Sequence, residues 1–441
     1  MPSRDHEKPF VSPTPEATSA PIAARLVHRH SPALAAHARA ISAGLMWLAM
    51  GLAHAAHADD SYTVLAGWDR QLFPSYLVAT ATVRLPPEDQ VDEDPDADIT
   101  VLGDHQGVLG VELTSPSAES TVTVTVQANG ILEESSFEGT LDEEGSVYRI
   151  FPRVRYKYDV LTKNRQSVPL EVTFTVDIDG EQLETQTVTV TLRSINDCPW
   201  VIESDGEVKD ISFMFAAYVN EQHPFVDKIL REALDQGAVD SFTGYQSGDP
   251  AEVYRQVYAI WNALSQRDVR YSNITTEVAT NRAVASQHVR LVDESINNGQ
   301  ANCVDGSVLL ASLLRKIDIE PSLVYVPGHC YLAFALDAKG EHIVGLETTL
   351  IGGAADADDV RDLPDGTKVV DDEWRATDSW ATFCAAVQAG EEDMAKNAEK
   401  FNQDDPEFQI VSIKAARAVG ILPIAFDSSN TFKAVSGEAD E

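Results

Sequence analysis

The chain has 441 residues, of which 44% are hydrophobic, and its net charge is −37. This length is typical of two or three domains, and the apolar fraction is sufficient for well-formed cores. The strong negative charge argues against nucleic acids and anionic membrane surfaces as partners, because both bind cationic faces. The acidic residues are spread along the chain, and we therefore interpret the charge as a contribution to solubility.

Residues 1–58 have the pattern of an export signal. Several arginines precede an apolar stretch over residues 41–53, and Ala-His-Ala over residues 56–58 offers a small-x-small cleavage site. The apolar stretch is too short for a comfortable transmembrane span. We therefore predict a periplasmic or extracellular mature protein with no further membrane segment. The alternative is that this stretch is a helix of the folded protein.

Residues 59–202 are predicted to form an all-β sandwich of immunoglobulin-like size. Apolar and polar residues alternate over residues 122–126, 170–176 and 188–192, as in strands with one buried face. Asp-Gly at residues 179–180 predicts a two-residue hairpin turn. Short strands, frequent turns and the absence of a helical period favour an antiparallel sandwich. Its role as spacer, recognition domain or lid stays open.

An acidic segment over residues 88–98 carries alternating aspartates. This alternation is reminiscent of a calcium loop, but Ile99 stands where an EF-hand loop needs glycine, and no glutamate closes the loop. We therefore interpret the segment as a solvated loop.

Residues 205–428 are predicted to form a second domain that begins with helices. Apolar residues at helical spacing over 223–236, followed by Gly237, predict the first helix. Asp-Pro-Ala-Glu over residues 249–252 has the order of an N-cap, a first-turn proline and a capping-box partner, and so predicts the start of another. A flexible loop is predicted over residues 352–359. Two helices are predicted over residues 379–389 and 411–419, and a flexible tail over residues 429–441.

A cysteine stands where the polar segment 298–302 passes into an apolar helix over residues 306–314. Asn302 is suited to be the N-cap, which puts Cys303 in the first helical turn. The helix dipole there favours the thiolate, which is the form of cysteine that attacks carbonyls. The backbone N–H groups of this turn are suited to an oxyanion hole, with Gln300 and Asn302 as further candidates. We therefore predict Cys303 as a nucleophile.

A histidine and a glutamate follow on consecutive predicted strands, over residues 324–336 and 341–350. A three-residue hairpin loop with Gly340 at a position requiring φ > 0 would pair Tyr331 with Glu347. Glu347 then lies on the His329 face, diagonal to it. Thiol, imidazole and carboxylate in this order are typical of a nucleophile, its base and the group that orients the base. A zinc site formed by the same three residues is disfavoured, and we predict neither a metal nor a cofactor.

Three segments carry a family resemblance: Asn-Cys-Val-Asp at 302–305, Val-Pro-Gly-His at 326–329 and Leu-Glu-Thr-Thr at 346–349. They resemble the nucleophile helix, histidine strand and acidic strand of the transglutaminase-like superfamily, particularly its bacterial cysteine peptidases. The resemblance covers roughly residues 212–426, and many members have aspartate at the Glu347 position. It implies an α+β fold, with a papain/transglutaminase-like catalytic domain (a nucleophile helix packed on an antiparallel sheet) after the all-β sandwich.

The same resemblance implies a role for each of the three residues. Cys303 would be the nucleophile, His329 the general base and acid, and Glu347 the orienting carboxylate. If Cys303 is a free thiol, an odd number of other cysteines remains (Cys198, Cys330 and Cys384). At most one disulfide then forms, and its pairing stays open.

The sequence is compatible with two functions. The first is an exported thiol enzyme that takes the acyl group of a peptide or isopeptide amide as a thioester and passes it to water or to an amine. Hydrolysis is slightly favoured over cross-linking, because no amine-binding feature is recognisable. The second is a non-catalytic module that holds a peptide in its cleft. In both cases the expected partner is a protein or peptide, and the oligomeric state stays open.

Overall fold

Two sheets dominate the N-terminal part of the chain in a computed structural model that describes residues 61–83, 99–204, 207–273, 277–280, 283–354, 360–403, 405, 407–426 and 430–433. Their strands are β1 (Thr63–Ala66), β2 (Gln71–Leu72), β3 (Ile99–Gly103), β4 (Leu109–Thr114), β5 (Ser120–Gln127), β6 (Leu132–Glu133), β7 (Ser135–Leu141), β8 (Val147–Phe151), β9 (Arg155–Tyr156), β10 (Val168–Ile178), β11 (Glu181–Gln182) and β12 (Gln186–Leu192). One sheet has the order β1-β4-β8-β3 and the other β2-β12-β10-β5-β7, with β11 on β10, while β6 pairs with β9.

The three alternating stretches all lie in strands, β5, β10 and β12, as predicted. The buried side chains of β5 are Ser120, Val122, Val124 and Val126, every second residue, because successive side chains of a strand point to opposite faces. The hairpin turn at Asp179 and Gly180 is also confirmed, with φ angles of 53° and 84°. Two strand pairs, β3–β8 and β2–β12, are parallel, which the antiparallel prediction missed.

Two helices interrupt this β region, α1 (Pro74–Ala79) and α2 (Tyr158–Leu161), so the expectation of a purely β region is wrong. All six residues of α1 are buried, and a helix without a polar face has no amphipathic period to recognise. The Oγ of Ser75 donates to the Asp197 carbonyl at 2.6 Å, and Leu422 N donates to the Ala79 carbonyl at 2.8 Å. Helix α1 therefore connects the β region to the C-terminal part.

The C-terminal part contains three further strand groups and seven α-helices within the described residues. Its strands are β13 (Asp197–Ser204), β14 (Glu207–Asp210), β15 (Arg270–Tyr271), β16 (Glu277–Thr280), β17 (Val284–His288), β18 (Gln300–Ala301), β19 (Pro321–Val326), β20 (His329–Ala335), β21 (Ile343–Leu346) and β22 (Gln409–Ser412). Its helices are α3 (Pro224–Asp235), α4 (Pro250–Gln266), α5 (Val292–Asn298), α6 (Cys303–Lys316), α7 (Asp372–Arg375), α8 (Asp378–Asn402) and α9 (Ile413–Ala418), with 3-10 helices at Ser212–Tyr218 and Thr348–Leu350. The sheets are β14-β13-β17-β16 and β21-β20-β19-β22, and β15 pairs with β18 in parallel. Because β13 pairs with β17, the strand that crosses the predicted boundary near residue 202 belongs to a C-terminal sheet.

The sheet β21-β20-β19-β22 lies between two helices. Cys330, Leu332 and Phe334 share the core with the apolar residues of α6. The alternate residues Tyr331 and Ala333 lie in a separate buried cluster with Met394 of α8. The chain is thus mixed α+β, and α6 packs on one face of an antiparallel sheet.

Helix α8 crosses β21 at two glycines, Gly345 and Gly390. A Cβ atom on Gly345 would meet the Gly390 carbonyl carbon at 2.5 Å, and one on Gly390 would meet the Gly345 carbonyl carbon at 2.3 Å. Side chains are excluded from both positions, so strand and helix backbones touch directly. Near this crossing, Glu347 N donates to the Ala386 carbonyl at 2.9 Å, which fixes the end of β21 to α8.

The helix starts predicted at residues 223 and 249 are confirmed, but the capping box predicted for the second is not formed. His223 caps α3 and Asp249 caps α4, each accepting from a backbone N–H two residues on. Glu252, predicted as a capping-box partner, instead forms an ion pair with Arg255. A cation one turn along the helix competes for the carboxylate.

Three other element predictions need correction. The single strand predicted over residues 324–336 is a hairpin, β19 and β20, turning at Pro327-Gly328. The strand predicted over 341–350 ends at Leu346 and continues as a 3-10 helix. The helix predicted over 411–419 begins as strand β22, while the helix predicted over 379–389 is part of the much longer α8.

Several predictions lie outside the described residues: the export segment 1–58, the acidic segment 88–98 and most of the loop 352–359. Part of the predicted tail is described, and it is docked. Phe432 lies 4.9 Å from the Phe225 ring and 3.9 Å from the Arg267 guanidinium. None of the described helices is long and apolar enough to cross a membrane.

Candidate active site

Cys303 is the first residue of α6 and is half-buried. The Asn302 side chain accepts from Asp305 N at 2.9 Å, and the Asp305 carboxylate accepts from Asn302 N at 3.0 Å. This reciprocal capping box fixes the point at which the helix begins. The thiol therefore occupies the helix start that the sequence predicted.

Asp305 points away from the thiol, into the protein. It is fully buried and forms an ion pair with Arg290 at 2.6 Å, while Arg290 N donates to it at 2.8 Å. All of these contacts hold the segment before α5 against the start of α6. Asp305 therefore braces the helix start and does not contact the imidazole of His329.

His329 begins β20, directly after the turn at Pro327 and Gly328. Gly328 has a φ of 74°, so the turn uses proline and then glycine at its two central positions, as in a type II turn. The turn pairs Val326 with His329 and presents the imidazole at the end of the sheet. The Nε2 atom of His329 lies 2.7 Å from Glu347 Oε2, which leaves Nδ1 for the thiol.

The pKa of His329 is raised from 6.5 to about 10. The hydrogen bond with Cys303 is the largest cause, the hydrogen bond with Glu347 is the second, and partial burial opposes both. Neighbouring groups that accept a proton favour the imidazolium. The three predicted residues are therefore brought together, with the imidazole between the thiol and the carboxylate.

Glu347 follows β21 and caps the 3-10 helix Thr348–Leu350. The predicted register is confirmed: Leu332 pairs with Leu346, and continuing this ladder by one residue brings Glu347 opposite Tyr331. One carboxylate oxygen accepts from Thr349 N at 3.0 Å and Thr349 Oγ1 at 2.6 Å, and the other faces His329. Burial opposes ionisation, but these hydrogen bonds outweigh it and keep the pKa of Glu347 below its usual value.

A second connection joins the 3-10 helix to the start of α6. Ser307 Oγ donates to the Cys303 carbonyl at 2.7 Å and lies 3.1 Å from Thr348 Oγ1. Thr348 packs on Gly306, where an added Cβ would lie 3.3 Å from its side chain. A small residue one turn after the thiol therefore lets the acidic segment approach the nucleophile helix.

All four cysteines are free thiols. Burial raises the pKa of Cys198 and Cys330 well above the usual value and that of Cys384 to about 12. These three thiols stay protonated near neutral pH, and Cys303 is the one that is not fully buried. Within the described ranges, no group of three or more His, Cys, Asp or Glu side chains is arranged to hold a metal ion.

The two tentative oxyanion residues occupy different places. Asn302 is 2% exposed, and its side-chain amide oxygen accepts from Asp305 N in the capping box. Gln300 is half-buried, lies on β18 and lines a cavity together with Tyr271. Tyr271 is 45% exposed, and burial, followed by the charges of Cys303 and Glu347, raises its pKa.

Tyr271 is a site residue that the sequence interpretation missed. It pairs with Ala301 in the parallel ladder β15–β18, although thirty residues separate the two in the chain. A two-residue strand gives no periodicity, and an exposed aromatic residue is not distinguishable in sequence from a buried one. The chain matches no protein-family model, and no curated protein matches it.

Proposed function

We propose that the chain is an exported thiol-dependent acyl-transfer enzyme of the transglutaminase-like type, acting on peptide or isopeptide amides. The observation that carries this proposal is the alignment of Cys303, His329 and Glu347: the imidazole is hydrogen-bonded to Glu347 at 2.7 Å, and the neighbouring Cys303 is the first cause of the raised pKa of His329. An imidazolium beside a cysteine at a helix N-terminus favours the thiolate. Glu347 holds the imidazole in the orientation that presents Nδ1 to the sulfur.

The proposed reaction has two halves. In the first, the Cys303 thiolate attacks the amide carbonyl, the C–N bond breaks, and the leaving amine takes a proton from His329. The product is a thioester on Cys303. In the second, His329 removes a proton from water, which attacks the thioester, and the acid is released with return of the thiol. The N–H groups of Asp305 and Gly306 bond Asn302, so the N–H of Cys303, at the start of α6, is the candidate to stabilise the oxyanion of both halves.

Hydrolysis remains slightly favoured over transfer to an amine. The candidate site is partly open to water, since the His329 side chain is 33% exposed. A primary amine added to the assay distinguishes the two outcomes, because it diverts the thioester from the acid to an amide.

Alkylation by iodoacetamide tests the proposal directly. We expect Cys303 to react fastest of the four thiols below pH 7, and Cys384, which is buried in α8, to serve as the internal control. Peptide mapping by mass spectrometry measures each rate. If folded Cys303 reacts no faster than in denatured protein, the thiolate proposal fails and a non-catalytic peptide-binding module becomes the better description.

A further inference from the structure

A cavity of about 560 Å³ lies beside the short ladder β15–β18. Its charged lining residues are Arg267, Arg270, Lys433 and Asp268. Glu232 binds Arg267 behind the lining, so the local group has three cations and two anions, whereas the whole chain has 33 basic and 70 acidic residues. A protein of net charge −37 repels anionic ligands as a whole. It attracts one locally only where several cations lie close together, as Arg267, Arg270 and Lys433 do in this cavity.

Two of these cations, Arg267 and Arg270, differ in their availability to a ligand. Arg267 is only 4% exposed and binds Glu232 at 2.5 Å, so it forms the floor of the cavity. Arg270 is 66% exposed, and its partner Asp268 is 71% exposed. Exposed ion pairs are weak because both groups remain hydrated. Another carboxylate therefore competes readily with Asp268 for the Arg270 guanidinium.

The cavity is close to the candidate nucleophile. Gln300 lines it and precedes Cys303 by three residues, a span of at most about 10 Å. Tyr271 lines it as well, and the charge of Cys303 acts on Tyr271. An extended peptide advances about 3.3 Å per residue. A peptide with its reacting carbonyl at Cys303 thus reaches the cavity with its second or third residue.

We propose that this cavity is a specificity subsite for an acidic side chain of the peptide, two or three residues from the reacting carbonyl. Arg270 binds the carboxylate, and Gln300, which also lines the cavity, is a further candidate donor. Charge-assisted hydrogen bonds to a guanidinium are stronger than neutral ones, so aspartate or glutamate is preferred over its amide. This inference rests on the proposed function for its substrate, but the subsite itself is testable without turnover.

The experiment separates binding from reaction. Binding is measured calorimetrically on the Cys303→Ala variant, with blocked Ala/Ser hexapeptides that carry one glutamate at each position in turn and a matched set that carries glutamine. We expect at least one glutamate peptide to bind about tenfold more tightly than its glutamine counterpart. Adding Arg270→Gln should abolish the difference, and Arg270→Lys should retain part of it. Arg231→Gln, which removes an exposed arginine paired with Asp235 on α3, is the matched control and should change nothing.

The outcomes for the subsite and for the enzyme are distinct. Equal binding of glutamate and glutamine peptides at every position overturns the subsite, whatever the reactivity of Cys303. A glutamate preference that survives Arg270→Gln also overturns it. A preference that Arg270→Gln removes supports the subsite even if iodoacetamide labelling shows an unreactive thiol, in which case only the proposed catalysis fails.

Discussion

Replacing Glu347 by glutamine should lower the pKa of His329 and leave the fold intact. The wild-type pKa is raised to about 10, first by Cys303 and then by Glu347. The substitution removes a carboxylate charge 2.7 Å from Nε2 but keeps an oxygen that accepts the same hydrogen bond. An opposite charge at such a distance changes a pKa by about 1–3 units, so we expect His329 to titrate between about pH 7 and 9 in the variant.

Nuclear magnetic resonance of protein labelled with ¹³C at histidine Cε1 measures this change. The chain has 11 histidines, and the His329→Gln spectrum identifies the relevant signal. Asp337→Asn is the matched control, because Asp337 lies 3.0 Å from a different, exposed histidine, His342, and its removal should not affect His329. A wild-type midpoint near 6.5, or one that Glu347→Gln leaves in place, would refute the proposed interaction.

Three further predictions concern activity and stability. Glu347→Gln should slow peptide hydrolysis about 10²–10⁴-fold through a mis-oriented imidazole, whereas unchanged turnover in a peptide assay would remove Glu347 from the site. Asp305→Asn should lower the free energy of unfolding by about 3–5 kcal/mol in chemical denaturation, because it removes the carboxylate from the buried ion pair with Arg290; Asp268→Asn, in an exposed pair, is the control. Phe432→Ala should lower the free energy of unfolding by about 1–2 kcal/mol, because its ring and cation–π contacts are lost. An unchanged melting temperature would show that the docked C-terminal segment contributes nothing to stability.

The relation between His329 and Glu347 was predictable because a single turn determines it. Gly340 has a φ of 70°, as its predicted position in the loop demands. Side chains alternate strictly along strands, so the loop length alone decides which face Glu347 occupies. The capping role of Asn302 was predictable for a similar reason, since the signals of a helix start are local in sequence.

Other features were not predictable, because they depend on contacts distant in the chain. The turn at Pro327-Gly328 is flanked on both sides by β-branched and aromatic residues, which read as one long strand. Asp305 braces the start of α6, but its ion-pair partner, Arg290, is recognisable only in three dimensions. The cavity beside Tyr271 is formed by segments that include Lys433, from a stretch whose composition indicates only a tail.

The contact between Gly345 and Gly390 is a point about which α8 can tilt, and this point lies beside the candidate site. From Gly390 to Asn402 the helix extends about 18 Å, so a tilt of about five degrees moves its last turn by about 1.5 Å over that length. The same tilt scarcely displaces Glu347, whose backbone is bonded to α8 within one turn of the crossing. We therefore expect the far end of α8 to tolerate displacement. In contrast, the methyl group of an alanine at Gly345 or Gly390 should reorient the Glu347 carboxylate and with it the His329 imidazole.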